Sequence, residues 1–346
     1  MSIIQTFGWI ALTEAINKIV APKTFILNTL FAPKTKQHAT KKIQIDIKVG
    51  NKKLAPFVKR TSGAAVVDKQ GFKSETIELP KIRMKKPLTA EDLLFERGVG
   101  MPIYVGSSGD INSFRERKIA EELQDIKDRA TRRMEWMAAQ SLSGVITVSQ
   151  DDLEIEYDFN MPEANKPALT LGAKWSEVTT ADPIANIRTW QSVVQNARGY
   201  VPTIAFARTE VINYFLANES VRQLLNLRSI VAGNIDTNKV ANETGAKYIG
   251  KVEGVDIFEY NETYTDKNGA TQPMIPVDRF VLVTPQAENR LHYGAIEDLE
   301  AGQNIALPYF AKDWIEKDPS VLWLLAETSP LTVPHEPETI VFAKVY

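Results

Sequence analysis

Apolar residues at Ile119, Leu123, Ile126, Ala130, Met134 and Met137 step along the chain by four, three, four, four and three. That spacing predicts one narrow apolar stripe on an α-helix. Ser113 followed by Glu116 has the S-x-x-E spacing of a capping box, and Gly144 offers the left-handed conformation that ends many helices. The predicted helix covers 114–143 and is about 45 Å long at ~1.5 Å per residue. Asp125–Arg129 and Asp128–Arg132 stand at i,i+4 on its polar side. A helix this long is either half of a coiled coil or a spine against a sheet. The strand-like runs that follow at once, 145–148 and 153–159, favour the spine.

Upstream, Ile43, Ile45, Ile47 and Val49 alternate with polar residues, the period of a half-buried strand. Gly50-Asn51 is a turn signal, the return over 52–67 is less regular, and a third extended stretch runs over 75–84. Together 41–87 reads as a long β-excursion, marginally stable unless it lies on something. Residues 1–40 hold one amphipathic stretch, then Pro22, Pro33 and a polar run. They read as an arm without a core of its own. Downstream, 182–290 alternates. Asp182 and Pro183 open a helix to about residue 197 as N-cap and N1. A strand at 202–207, helices at 209–218 and 221–227, and strands at 248–252, 255–260 and 279–284 follow, with a turn at Asp266-Lys267-Asn268-Gly269. This is a compact α/β unit inserted between spine and C-terminus. Two last apolar runs, 321–326 and 339–345, flank a proline-rich elbow at Pro330, Pro334 and Pro337, with Trp314 just ahead. The whole is an α+β chain.

Composition narrows the class. The chain has 346 residues, 44% hydrophobic and 24% charged, ordinary for a globular protein. No apolar run approaches the ~20 residues of a membrane helix. The N-terminus has no basic region before its apolar part, and Glu14 and Asn17 interrupt it, so a signal peptide is not expected. There is no cysteine, which excludes disulfides, thiolate metal sites and a cysteine nucleophile. The three histidines, His38, His292 and His335, lie far apart without ligand spacing. Net charge is −2 but uneven: Lys34 to Lys86 carries fifteen Lys or Arg against four Asp or Glu. Residues 1–33 add +1, which leaves −14 on the remaining 260. A basic segment on an acidic body suggests attachment to an acidic surface, either nucleic acid or a neighbouring copy.

Catalytic chemistry finds little support. Asp151-Asp152-Glu154-Glu156 and Glu297-Asp298-Glu300 are acidic clusters, yet the Asp-x-Asp pattern and glycine of a calcium loop are missing. Glu154 and Glu156 alternate with Ile155 and Tyr157, as on the solvent face of a strand. Gly98, Gly100 and Gly106 lack phosphate-loop spacing, and Ser141-Leu142-Ser143-Gly144 ends a helix where a nucleophile elbow would begin one. His292 beside Tyr293 reads as structural. No catalytic, cofactor-binding or metal residue is expected. With only Phe57 and Phe72 as aromatics in the basic segment, a base-stacking platform is not expected either.

The order of parts resembles that of the lambda-type phage major capsid proteins, the major capsid protein E family. The segment Asn289-Arg290-Leu291-His292-Tyr293-Gly294-Ala295-Ile296-Glu297-Asp298 is similar to the family's exit from its central domain. Lys312-Asp313-Trp314 with Asp318-Pro319 resembles the approach to the final strands, Ser329-Pro330-Leu331 the elbow, and Pro56-Phe57-Val58 with Gly63 the loop region. The resemblance implies a Hong Kong 97-like fold: an N-arm (1–40), an E-loop (41–87), a P-domain (88–181 and 291–346) with spine helix 114–143, and an A-domain (182–290). It implies a structural subunit and no enzyme, without cofactor. Such a subunit self-assembles into hexamers and pentamers of an icosahedral shell around double-stranded DNA, in the virion and, during assembly, in the host cytoplasm. Scaffolding protein, a portal and a decoration protein are the implied partners besides DNA touched nonspecifically; no membrane is. Expected contacts between copies are Lys48, Lys52, Lys53, Lys59 and Arg60, with Leu54, Phe57 and Val58 supplying apolar burial while charge guides encounter. An encapsulin-type compartment is the alternative on the same fold and would need no scaffold. A basic-surfaced nucleic-acid-binding protein is the alternative outside it and would bind DNA as a small oligomer.

Overall fold

The computed structural model describes residues 7–48, 72–89, 92, 111–150, 153–223, 245–300, 306–318 and 320–346. The chain opens with helix α1 (Trp9–Lys18), a π-helical turn at Leu27–Phe31 and the short strand β1 (Lys36–Gln37). Strand β2 (Lys42–Lys48) pairs antiparallel with β3 (Phe72–Glu78), from Lys42 opposite Glu78 to Lys48 opposite Phe72. The described partner of β2 is thus β3, and the expected return over 52–67 lies outside the described residues. The third extended stretch is two strands, because Leu79-Pro80-Lys81 separates β3 from β4 (Ile82–Thr89). Proline has no N–H for a ladder, so the break falls there.

The long helix is α2, Ile111–Ser141, 31 residues, or roughly 46 Å at 1.5 Å per residue. Every residue of the predicted stripe is buried, none more than 3% exposed. The helix starts three residues earlier than its sequence signals, so Ser113 falls in its first turn and not at the N-cap. It ends at Ser141, two residues before the predicted 143, and Gly144 closes the turn that follows. Gly144 has φ +87°, and a Cβ there would stand 2.6 Å from Met161 Cβ. Only glycine meets both demands. On the polar side Asp125 accepts from Arg129 Nε at 2.8 Å, while Asp128 accepts from Gln124 Nε2 at 2.6 Å. The stripe packs against strands of its own chain, as a spine would.

One sheet beside the spine is β14 (Phe310–Glu316), β15 (Val321–Thr328) and β4, all antiparallel. A hairpin of β5 (Val145–Gln150) and β6 (Leu153–Asp158) follows the spine. On β6, Glu154, Glu156 and Asp158 are exposed and Tyr157 is buried, the alternation expected of a strand's solvent face. A second small sheet joins β1 to β13 (Asn289–Tyr293) in parallel and β13 to β16 (Pro330–Pro334) antiparallel. The expected proline elbow is thus strand β16. It lies at the edge of its sheet, with Pro330 and Pro334 as its first and last residues, the places where a missing N–H costs no ladder bond.

The largest sheet has order β17-β12-β7-β9-β8: Val341–Lys344, Arg279–Val283, Ile204–Ala207, Val255–Tyr260 and Ala246–Val252. Its last strand comes from the chain's C-terminus and pairs with β12. Alternate residues divide between two cores. Ala205, Ala207, Phe280, Leu282, Val341 and Ala343 face helices α3 (Pro183–Arg198) and α4 (Thr209–Ala217), with Trp175, Trp190 and Phe215. Phe206, Val281, Val283 and Phe342 belong to the core built by the spine. Burial on both faces explains why these strands read as unbroken apolar runs. Asp182 caps α3, accepting from Ile184 N and Ala185 N at 3.1 Å, with Pro183 at N1. The turn after β10 (Thr263–Thr265) closes on β11 (Thr271–Pro273), with Gly269 at φ +81°.

Candidate assembly surfaces

Of the residues expected to touch neighbours, Lys48 closes β2 opposite Phe72. Lys52, Lys53, Leu54, Phe57, Val58, Lys59 and Arg60 lie outside the described residues. The root of their excursion is held by its own chain. Ile43 stands opposite Ile77 and both are buried. Tyr157 Oη donates to Glu78 O at 2.8 Å, and burial pushes this phenol up to about 12. Lys41 lies 3.7 Å from Glu297, and Lys42 lies 3.6 Å from Glu78.

The flanks of the basic segment are likewise neutralised within the subunit. Lys34 lies 3.5 Å from Glu288. Lys81 and Arg83 share the buried carboxylate of Glu327 at 2.6 and 3.2 Å, and Lys86 reaches Glu122 and Asp125 on α2. The expected attachment of this segment to another acidic surface therefore does not draw on Lys81, Arg83 or Lys86: β4 is a strand of the subunit's own sheet, and acidic side chains of that sheet and of the spine meet it.

The arm packs on the rest of its own chain. It has no core of its own and enters the main one: Leu12 and Ile16 are buried against the sheet, and Phe25, Ile26, Leu27, Leu30 and Phe31 are buried in the main core. Helix α1 lies along the free edge of β14. Thr13 Oγ1 donates to Ala311 O at 3.1 Å and accepts from Ala311 N at 3.0 Å. Asn17 Nδ2 donates to Tyr309 O at 2.9 Å, and Phe7 N donates to Asp313 Oδ2 at 3.0 Å. The Thr13 hydroxyl thus occupies both backbone groups of Ala311, which an edge strand would otherwise offer to another chain.

Two buried charges on the spine fix the arm's path. Lys127 Nζ donates to Ile16 O, Ile19 O and Asn17 O at 2.8, 2.6 and 3.3 Å, meeting the open carbonyls at the C-terminus of α1. Burial holds this ammonium below the usual lysine range. Two turns on, Glu135 accepts from Ile26 N at 3.0 Å and Leu27 N at 2.8 Å, free donors at the start of the next helical turn. It also accepts from Tyr260 Oη at 2.7 Å, on β9 of the large sheet. Burial raises its pKa against these bonds. A cation at a helix C-terminus and an anion at a helix N-terminus each match the backbone dipole, so the pair sets the arm's direction across the spine. The sequence carried a signal for them. Ile119, Leu123, Lys127, Thr131 and Glu135 form one i,i+4 row beside the apolar stripe, and charges on such a row are placed for burial.

A cleft of about 1420 Å³ opens between β4, the polar side of α2 and the β10–β11 hairpin. Arg83, Arg129, Arg132, Arg133 and Lys267 line it with Asp125 and Asp266, and Arg133 stacks over Trp136 at 5.1 Å. Among the described residues no group of three or more His, Cys, Asp or Glu is placed to hold a metal ion, and no helix is long and apolar enough to cross a membrane. In the second acidic cluster Lys312 Nζ lies between Asp298 and Glu300, each within 3.0 Å. The histidines are the surprise. His38 Nε2 and His292 Nδ1 are 2.9 Å apart, and His292 Nε2 and His335 Nε2 are 3.1 Å apart.

Residues 8–345 match the family described as phage major capsid protein E. The chain belongs to that family. It is a capsid protein of phage or prophage type, and the family is a structural one. The fold agrees and is Hong Kong 97-like. A prophage capsid protein from Escherichia coli CFT073 is similar over 99% of this chain and 100% of its own, with TM-score 0.73 and 18% identity. The capsid of Ralstonia phage GP4 is similar over 95% and 92%, with TM-score 0.52 and 10% identity. A phage-related protein from Bordetella bronchiseptica RB50 is similar over 99% and 98%, with TM-score 0.52 and 10% identity. No curated protein matches.

Proposed function

We propose that this subunit builds an icosahedral virion shell of hexamers and pentamers that encloses double-stranded DNA. Assembly proceeds in the host cytoplasm with a scaffolding protein and a portal. The observation that carries this reading is the match to a major capsid family across 8–345 together with the fold. The physical arrangement supports it. The arm and the flanks of the basic segment are satisfied inside the subunit, so trans contacts fall to the middle of the excursion: Lys52, Lys53, Lys59 and Arg60 for encounter, and Leu54, Phe57 and Val58 for burial. Arg132, Arg133 and Lys267 in the cleft over the spine offer a nonspecific contact for DNA phosphates.

Electron microscopy of the full-length chain, expressed with and without its neighbouring scaffold gene, tests the proposal. Closed shells, or capsomer rings and tubes, are the expected result. Uniform shells formed without scaffold would favour a compartment over a phage head. A monodisperse monomer or dimer under both conditions would overturn self-assembly.

A further inference from the structure

All three histidines of the chain meet in one hydrogen-bonded row, and each sits on or beside a different strand of one small sheet. His38 follows β1, His292 lies within β13 and His335 follows β16. The first and second rings are also stacked, with centroids 5.1 Å apart. Strand β1 is only two residues long, and its ladder to β13 is extended by His38 N donating to Tyr293 O at 2.8 Å. This is where the arm leaves the body and the basic excursion begins. A strand that short has few ladder bonds, and the imidazole row adds to what flanks it: Lys34 Nζ donating to Gln286 O and Ala287 O, and Ala295 N donating to Thr40 O.

We infer that the His38–His292–His335 row is an acid-released latch. Neutral rings hold the arm's exit strand and β16 onto β13, and protonation lets the exit strand go. Three neutral rings carry three N–H protons for two links, so the row is complete without added charge. A second cation in it would stand about 3 Å from the first. The surroundings oppose charging further. Lys36 lies on β1, Arg290 on β13 and Lys34 just before β1. The neighbouring carboxylates are engaged: Glu288 with Lys34 and Arg290, and Glu336 with Arg198 and the Glu288 N–H. Burial first, then the other two rings, brings His292 down to about 3, and burial and Lys36 lower His38. A histidine held below its unfolded value contributes stability above about pH 6.5 and loses it as pH falls toward the folded value. The latch is therefore closed near neutrality and loses its hold in acid.

The test uses the full-length chain and does not depend on assembly. Gln37 is exposed on β1 and the chain has no cysteine, so Gln37→Cys gives one site for a nitroxide. The label should be immobilised at about pH 7.5 and become mobile with a midpoint between about pH 6.5 and 3, before far-UV circular dichroism changes. His38→Asn with His335→Asn removes two titrating rings, keeps polar side chains and leaves the Lys34–Glu288 pair in place. That variant should show no mobility transition over the same range. Three results would overturn the latch: a label already mobile at neutral pH in the wild type, one that moves only with global unfolding, or the same midpoint in the double variant. The last would assign the transition to the carboxylate pair.

Discussion

Glu135 offers the sharpest test of how the arm is held. Glu135→Ala removes the acceptor from two buried backbone donors, Ile26 N–H and Leu27 N–H, and from Tyr260 Oη. A buried polar group left without a partner costs about 1–3 kcal/mol. Three at ~1.5 kcal/mol give about 4.5 kcal/mol. The substitution also relieves a carboxylate whose raised pKa reports its desolvation, which offsets part of that sum. The net expectation is about 3 kcal/mol, or about 10²-fold in the local opening equilibrium. Amide hydrogen exchange on the full-length chain reads this directly. Peptides covering residues 24–31 should exchange about 10²-fold faster, with those of α3 unchanged. Exchange within about threefold of wild type would refute the reasoning, because the arm would then be held by apolar burial alone. A pH series adds a second readout. Burial raises the folded pKa above the ordinary glutamate value, so only between the two values does the folded chain keep a proton that the unfolded chain has released. The group's contribution is fully present below the unfolded value and is lost as pH rises through the folded one. Glu135→Gln should remove that slope, at a cost of about 1–2 kcal/mol from setting its NH₂ against a backbone N–H.

Other substitutions separate folding from assembly. Lys127→Met should loosen α1 by about 1–3 kcal/mol, seen as faster exchange over residues 9–19, because three helix-end carbonyls lose their donor. Gly144→Ala should lower the urea midpoint by the equivalent of at least about 1–2 kcal/mol, since φ +87° and the 2.6 Å approach to Met161 both exclude a side chain; an unchanged midpoint would contradict this. Lys81→Glu with Arg83→Glu should destabilise the subunit by about 3–5 kcal/mol, because Glu327 is buried and loses both cations. Lys52→Glu with Lys53→Glu should leave the urea midpoint unchanged and reduce shell yield; normal yield by electron microscopy would remove these residues from the interface.

What the sequence revealed was local. The spine's stripe, the glycine that ends it and the Asp182-Pro183 start of α3 each rest on residues within one or two turns of one another, so spacing alone exposes them. Pairings set by the whole fold were not legible. Pro330 and Pro334 look like breakers until an edge position makes their missing N–H harmless. The partner of β2 lies beyond an irregular stretch, and its only fully apolar match is Ile43 opposite Ile77. His38 and His292 are 254 residues apart, and only the β1–β13 ladder brings them together. Where the arm is buried was hidden for a different reason. Its apolar residues at 25–31 are short and flanked by prolines, so they show no period. Their burial follows from the polar row on the spine that receives the backbone on either side of them.

That row also explains how a chain can be both a stable subunit and an assembling one. Backbone donors and acceptors at the ends of the arm's helices, and on the edge of β14, are attractive to any neighbouring chain. Here they are consumed in cis by Lys127, Glu135, Thr13 and Asn17. The cations at the flanks of the basic segment are consumed in the same way by Glu288, Glu297, Glu78, Glu327, Glu122 and Asp125. In the proposed assembly, attraction between copies falls to the middle of the excursion, whose root is anchored. Each edge or helix-end group occupied in cis is one fewer wrong way to pair, and specificity between copies depends on such differences.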